Sequence, residues 1–273
     1  MMKIKKIKTK SIIVKSNLPD GNFVINPYVG CTHGCKYCYA RFMKRFTGHT
    51  EPWGSFVDVK INAPDLIPKN TNKYRGKSIT ISSVTDPYQP IEGKYKLTRK
   101  IIERLIPLQP HLNLITKSVL VVRDIDLFKQ FKNCIVALSF SITDEKLRKQ
   151  IEPLSSPAEQ KINVLKELHK AKIPTALFIS PIFSQITDWE KIINQTKSFV
   201  DEYWFENLNL YPSIKSEIFR FLRKNRPELV EKYKKIYSKN SNYWDIEENK
   251  IKEFCKKNKV SYKIYFHHKR KDT

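Results

Sequence analysis

Asn22-Phe-Val-Ile-Asn-Pro-Tyr-Val-Gly-Cys31-Thr-His-Gly-Cys35-Lys-Tyr-Cys38 runs from a short strand-like stretch straight into three closely spaced cysteines. Residues 22–26 read as a strand, so the C-x3-C-x2-C triplet sits in the loop that follows it. A cube of four irons takes four thiolate ligands, and one held by three leaves an iron with an open position. The competing reading is zinc, with His33, His49, Cys134 or Cys255 as a fourth ligand. Zinc knuckles usually pair C-x2-C with a second pair of ligands, and none follows here.

An open iron can chelate a molecule through an amino and a carboxylate group, and S-adenosylmethionine carries both. Electron transfer into its sulfonium yields a carbon radical, chemistry that belongs to the cofactor. The spacing, with an aromatic residue (Tyr37) just before the third cysteine, resembles the radical S-adenosylmethionine superfamily. The resemblance implies a 4Fe–4S cluster on Cys31, Cys35 and Cys38, S-adenosylmethionine as second cofactor, and adenine lying against Tyr37.

The chain has 273 residues, of which 40% are hydrophobic. That suffices for one large domain or one domain plus an extension. No apolar run approaches the ~20 residues of a membrane span. The basic start, Met1-Met-Lys-Ile-Lys-Lys-Ile-Lys8, lacks the apolar stretch of a signal peptide. Five cysteines, an odd number with three clustered, argue against a disulfide framework. The expectation is a cytoplasmic protein with no membrane partner. Lys and Arg total 51 against 27 acids, a formal charge of +24. Such an excess attracts polyanions and points to a nucleic-acid partner; a generally basic solvated surface is the plainer account. The basic residues concentrate in residues 3–15 and 215–271, the latter with Arg220, Arg223 and Arg226.

Strand-like and helix-like patterns alternate after residue 20. Strands are expected at 22–26, 78–82, 112–116, 135–141, 174–180 and 203–208. Helices are expected at 97–106, 124–131, 158–171, 188–199 and 214–223, the third with Ile162, Leu165 and Leu168 on one face. Residues 56–61 form an accessory strand, 227–257 look helical, and 260–266 look like a terminal strand. This alternation implies an α/β fold with a parallel sheet, and about six units fall short of a closed eight-unit barrel. The expected division is a basic segment at 1–19, the βα unit array at 20–225, and a basic α+β extension at 226–273.

In parallel barrels, functional residues gather at the C-terminal ends of strands. Those ends read, in turn: the cysteine loop; Ser82-Ser-Val-Thr-Asp-Pro-Tyr88; Thr116-Lys117-Ser118; Ser139-Phe-Ser-Ile-Thr143, with Arg148 and Glu152 nearby; Ser180-Pro-Ile-Phe183; and Glu206-Asn-Leu-Asn209. Each residue alone could be an ordinary turn former or helix cap. Together, opposite a cluster loop, they suggest a polar cofactor pocket that includes Asp86 and Ser139.

The runs Asn26-Pro-Tyr-Val-Gly-Cys31, Thr85-Asp-Pro-Tyr-Gln-Pro90, Thr116-Lys117 and Ile151-Glu-Pro-Leu make the resemblance narrower. They look like the DNA-repair-photolyase-like branch, relatives of spore photoproduct lyase, over about residues 20–210. This implies a partial (β/α)6 TIM-type barrel whose open side admits a large substrate. It also implies methionine-end contacts from Thr85, Lys117 and Ser141, with Arg148 a further cofactor contact. Lys117 suits a carboxylate as a point charge, and Thr85 and Ser141 can donate to carboxylate or ribose oxygens. One departure matters. Spore photoproduct lyases carry a hydrogen-donating cysteine two residues before the position of Thr85, and here that residue is Ser83. A serine O–H bond is much stronger than an S–H bond. Tyr37 and Tyr39, which flank the third cysteine, are both present, and Tyr39 is the candidate radical relay.

Cys134 and Cys255 read as buried or incidental thiols. Tyr233, Tyr237, Tyr243 and Trp244 interleave with lysines, which suits base stacking but equally an amphipathic helix packing its aromatics inward. His267-His268 before Lys269-Arg-Lys271 reads as a solvated tail. The leading expectation is a radical enzyme acting on a nucleic acid, by repair or modification, fed by an electron donor such as flavodoxin or ferredoxin. The alternatives are a radical enzyme for a peptide or small molecule, and a non-catalytic metal-bearing nucleic-acid-binding module.

Overall fold

The computed structural model describes residues 2–18 and 21–267. Its strands are β1 (Lys3–Ile7), β2 (Ile13–Lys15), β3 (Phe23–Ile25), β4 (Tyr28–Val29), β5 (Phe56–Lys60), β6 (Ser78–Ile81), β7 (His111–Thr116), β8 (Cys134–Ser139), β9 (Thr175–Ile182), β10 (Glu202–Asn207) and β11 (Ser261–Ile264). The α-helices are α1 (Lys44–Thr47), α2 (Glu92–Tyr95), α3 (Leu97–Leu105), α4 (Ile125–Phe128), α5 (Glu145–Ile151), α6 (Ala158–Lys170), α7 (Trp189–Thr196), α8 (Pro212–Asn225), α9 (Val230–Ile236) and α10 (Tyr243–Lys257).

The larger sheet has the order β11-β10-β9-β8-β7-β6-β3-β2. From β3 to β11 every pairing is parallel, and β2 runs antiparallel along β3. β2 and β11 are the two edges, so the sheet is open: an α/β fold of the partial TIM-barrel type. The sequence explains this layering. β8 and β9 are almost wholly buried, as strands covered on both faces must be. α3 buries Leu97, Ile101, Ile102 and Leu105, and α7 buries Trp189, Ile192 and Ile193, both at helical spacing. Asp144 caps α5 by accepting from the backbone N–H of Lys146 and Leu147, and Asp188 caps α7 through Lys191. Among the described residues no helix is long and apolar enough to cross a membrane.

A second, three-stranded sheet has the order β1-β5-β4, with β1 parallel and β4 antiparallel to β5. It buries Tyr28, Val57 and Val59 against Leu97 of α3. The cysteine loop leaves β4 directly, so this small sheet sets its starting position. A separate apolar cluster of Ile151, Phe183, Leu208, Ile218, Phe221 and Tyr233, with Tyr37 packed against it, supports the other side of the loop.

Several expectations are corrected. The basic segment at the start supplies β1 and β2, which its charge pattern does not announce. α6 turns inward through Lys161, Val164, Leu165 and Leu168, while Ile162 is only partly buried. The span 227–257, expected to be helical, holds α9 and α10, separated by a turn containing Ser238-Lys-Asn-Ser-Asn242. Serine and asparagine compete there for backbone hydrogen bonds. Tyr233 donates to the Ser184 carbonyl at 2.9 Å, Tyr237 to that of Leu208 at 2.6 Å, and Trp244 is buried against Phe266. For these aromatics the amphipathic, inward-packing reading holds, and the base-stacking one does not. His267 is no free tail: its backbone N–H donates to Asn207 Oδ1 at 2.9 Å and its ring lies 2.8 Å from Glu206 Oε1. His268 and the basic residues after it lie outside the described residues.

Candidate active site

The cysteine loop depends on glycine geometry. Gly30 has φ +81°, and a Cβ there would stand 2.5 Å from the Phe56 carbonyl oxygen on β5. Gly34 has φ +60° and faces Gly54, where a Cβ would meet the Gly34 Cα at 2.7 Å. Only residues without a side chain allow this close approach. Gln89, fully buried, clamps the loop: its Oε1 accepts from the Thr32 N–H at 2.9 Å, and its Nε2 donates to the Gly30 carbonyl and to Thr85 Oγ1. On the other side the Lys36 N–H donates to the Ile151 carbonyl at 2.9 Å.

Cys31 and Cys35 are buried and Cys38 is half-buried. Burial pushes all three thiols up, Cys38 to about 11. Cys31 also feels the charges of Cys35 and Cys38, and Cys35 that of Cys38, so the thiols are near neighbours in the loop. The fourth ligands that a zinc site would need are engaged elsewhere. His33 Nδ1 lies 2.8 Å from the Leu154 carbonyl and its Nε2 is 3.2 Å from Asp86. His49 stacks on Phe56 and is held between Glu51 and Asp58 at 2.9 and 3.0 Å. Cys134 begins β8, away from the strand C-termini, and Cys255 is buried in α10. Among the described residues no three His, Cys, Asp or Glu side chains converge on a single-ion site. Three thiols without a fourth match a cube that keeps one iron open.

Beside this loop lies a buried charged cluster. Glu152, which follows α5, is 1% exposed, and Lys161 of α6 is fully buried. Lys117 Nζ is 3.3 Å from Glu152 Oε1 and 2.8 Å from Ser139 Oγ, and it lies 5.5 Å from the Tyr37 ring centroid. The Tyr37 hydroxyl donates to the same Oε1. Lys161 Nζ donates to the Ser139 carbonyl at 3.1 Å and stands 3.9 Å from Glu152 Oε2. Burial alone would raise the Glu152 carboxyl, but the charges of Lys117 and Lys161 outweigh it and hold it at about 2. Burial also pulls on Lys117, and Glu152 and Cys35 reverse that, so its ammonium is stabilised. Burial lowers Lys161 to about 8. Lys117 therefore brings a fixed positive charge to the strand ends next to the cysteine loop.

The other candidates divide by what their polar atoms already do. Asp86 accepts from the Tyr88 N–H, the Thr116 hydroxyl and the Lys117 N–H at 2.6–2.8 Å, tying β6 to β7 beneath the loop. Burial would raise its carboxyl; the neighbouring His33 and these donors hold it low instead. Arg148 gives Nε and Nη2 to Glu145 and Nη1 to the Glu152 and Ser155 carbonyls, so its guanidinium locks the 152–155 turn. Thr85 donates to the Gly30 carbonyl at 2.6 Å. Ser139 is engaged with Lys117, whereas Ser141 is 1% exposed and its hydroxyl has no partner among the described residues. Buried polar atoms are normally paired, so the Ser141 hydroxyl is left open to a ligand. Tyr39 is half exposed, and its hydroxyl donates to the carbonyl of Ser83. Sequence reasoning missed Gln89 and Lys161. The signal for Lys161 was present: a lysine in register with Leu165 and Leu168 on the apolar stripe of a helix.

An open parallel α/β barrel with a three-cysteine loop and a lysine-bearing rim is the architecture of enzymes that combine an iron–sulfur cube with S-adenosylmethionine. The chain belongs to the Radical SAM superfamily, whose profile matches residues 25–195. It is an enzyme that uses a 4Fe–4S cluster and S-adenosylmethionine. A protein of Methanocaldococcus jannaschii is 44% identical over 230 residues, spanning 84% of this chain and 86% of its own. The radical SAM Nα-GlyT isomerase of Pseudomonas phage M6 is 24% identical over 168 residues, covering 61% of this chain and 34% of its own. Among solved structures, spore photoproduct lyase complexed with dinucleoside spore photoproduct superposes at a TM-score of 0.69 and 17% identity, covering 97% of this chain and 82% of that one. A form of that lyase with bound AdoMet and the same dinucleoside also superposes at 0.69, with 16% identity.

Proposed function

We propose that the chain is a radical enzyme acting on a nucleic-acid base, with Cys31, Cys35 and Cys38 holding the cluster. The cofactor pair supplies a carbon radical. The protein's residues supply position and charge. Gln89 and the paired glycines fix the loop. Tyr37 offers a face to the adenine. Lys117 turns its ammonium to the cofactor carboxylate, exchanging part of its contact with Glu152, while Lys161 stays behind to neutralise that acid. Ser141, buried and unpaired, is free to donate to the cofactor. An electron donor of the flavodoxin or ferredoxin kind supplies the reducing equivalent.

Lys117→Ala should leave iron content unchanged and weaken S-adenosylmethionine binding. A charge-assisted hydrogen bond contributes about 1.5–3 kcal/mol, which is roughly a ten- to hundredfold loss. Equilibrium binding on the anaerobic protein measures it, and unchanged affinity would place the lysine elsewhere.

The observation that carries the nucleic-acid reading is the formal charge of +24. The similar fold of a lyase complexed with a dinucleoside spore photoproduct supports it. Binding should rest on Lys and Arg contacts to phosphate, so affinity should fall steeply with salt. A salt titration with DNA and RNA tests this, and no binding at low salt would favour a peptide or small-molecule substrate. The reaction should differ from spore thymine-dimer repair. Ser83 accepts from Asn26 Nδ2 at 3.4 Å and offers an O–H where a thiol would give up a hydrogen atom. The parent should repair a dimer-containing oligonucleotide poorly, and Ser83→Cys should repair it better. Full repair by the parent would refute the argument from the missing thiol.

A further inference from the structure

Three aromatic rings point away from the core beside the site. Tyr39, Phe42 and Phe46 lie on the 3-10 turn Tyr39–Met43 and on α1, at spacings of three and four residues that put them on one face. Tyr39 and Phe42 are stacked with centroids 6.4 Å apart, and Phe46 meets Phe42 edge-on at 6.3 Å. They are 43%, 40% and 75% exposed. Isolated exposed apolar residues are ordinary, but a contiguous patch of rings marks an interaction surface. The opposite face of the same turn holds it in place: Ala40 is buried and Arg41 forms a bidentate pair with Glu217 at 2.7 and 2.9 Å.

We propose that Tyr39, Phe42 and Phe46 form a stacking platform for unpaired bases of a single-stranded nucleic acid, leading from solvent to the radical site. This rests on the nucleic-acid reading above. The ladder starts one residue after half-buried Cys38, and the Tyr39 hydroxyl donates to the Ser83 carbonyl just beyond β6. Its outer end is the most exposed ring in the set. The charge around it selects the partner. Residues 32–50 contain no Asp or Glu, while Lys36, Lys44 and Arg45 alternate with the aromatics, Arg41 being taken up by Glu217. Arg45 is exposed and has no ion pair among the described residues. Rings that accept bases, spaced by cations that accept phosphates, are the arrangement single strands bind without sequence preference. A base drawn out of a duplex would be held in the same way.

The test is fluorescence anisotropy with a labelled single-stranded oligonucleotide of mixed sequence, once as DNA and once as RNA, on the anaerobic holoenzyme. Phe42→Ala/Phe46→Ala should bind it roughly ten- to a hundredfold more weakly, since stacking is worth that much per base or two. The salt dependence should keep its slope, because the phosphate contacts remain. Iron content and S-adenosylmethionine affinity should not change, which separates the effect from misfolding. Phe46→Trp should retain affinity, and its indole fluorescence should be quenched on binding. Equal affinity of the double variant and the parent overturns the platform but leaves the nucleic-acid reading standing. Failure of the parent to bind either oligonucleotide overturns both. Unchanged oligonucleotide affinity with slowed cluster reduction by flavodoxin would assign the surface to the electron donor and overturn the proposal.

Discussion

Cys35→Ala should yield protein that neither holds a stable 4Fe–4S cluster nor cleaves S-adenosylmethionine. Cys31, Cys35 and Cys38 have no substitute within reach. His33 is committed to the Leu154 carbonyl and Asp86, and His49 lies between Glu51 and Asp58. A cube already short of one protein ligand would be left with two, and its open iron would no longer be unique. Cys31→Ala and Cys38→Ala should behave alike. Cys134→Ala and Cys255→Ala should retain full iron, because these thiols are buried in β8 and α10, where burial alone raises each to about 12. Iron and acid-labile sulfide counted on anaerobically purified variants decide it. Full iron in Cys35→Ala would show that a different set of ligands holds the cluster.

Glu152→Ala should be the most destabilising single change outside the cysteines. It removes the acid shared by Lys117 and Lys161 and leaves Lys161, fully buried, without its countercharge. Breaking one partner out of a buried ion pair costs about 3–5 kcal/mol. For a chain of this size that lowers the melting temperature by about 6–20 °C. The pH dependence has a definite sign. The folded carboxyl, at about 2, lies below its unfolded value of about 4.3, so its contribution is complete above the unfolded value and is lost as pH falls towards 2. Lys161 acts in the alkaline range. Its folded value of about 8 lies below the unfolded value of about 10.4, so the folded state sheds its proton first and stability gains between the two. Thermal melts of parent and Glu152→Ala between pH 3 and 10 would show the difference shrinking at the acid end. Melting temperatures equal at neutral pH would mean that the cluster carries no net stability.

The strands of the main sheet were legible because β-branched and apolar residues mark them locally, and observed bounds differ from expectation by only a few residues. β6, for example, is Ser-Ile-Thr-Ile, and its pattern needs no partner to be recognised. β1 was not legible. Its Lys-Ile-Lys-Lys-Ile has an exposed pattern, and only parallel pairing with β5, some fifty residues on, makes it a strand. The cysteine triplet was visible in its spacing, but the contacts of Gly30, Gly54 and Gln89 that shape its loop were not. The polar rim could be read only in part. Lys117, Asp86 and Arg148 look equivalent in sequence, each a charged side chain expected near a strand end. Their hydrogen bonds differ: Asp86 and Arg148 spend theirs on the protein, while Lys117 bridges Ser139 and Glu152 beside Tyr37. That distinction depends on partners far away in sequence. Lys161 went unnoticed because a lysine on a helix is normally solvated. Here the apolar stripe of α6 carries it inward to Glu152.

The most direct test of the account is the electron paramagnetic resonance spectrum of the reduced, anaerobically reconstituted protein, recorded before and after S-adenosylmethionine is added, with 5′-deoxyadenosine assayed in the same sample. The account predicts about four irons per chain, a reduced-cluster signal that shifts when the cofactor is added, and 5′-deoxyadenosine formation that disappears in Cys35→Ala. Stoichiometric zinc with no iron, or a cluster signal indifferent to S-adenosylmethionine with no 5′-deoxyadenosine formed, would contradict it.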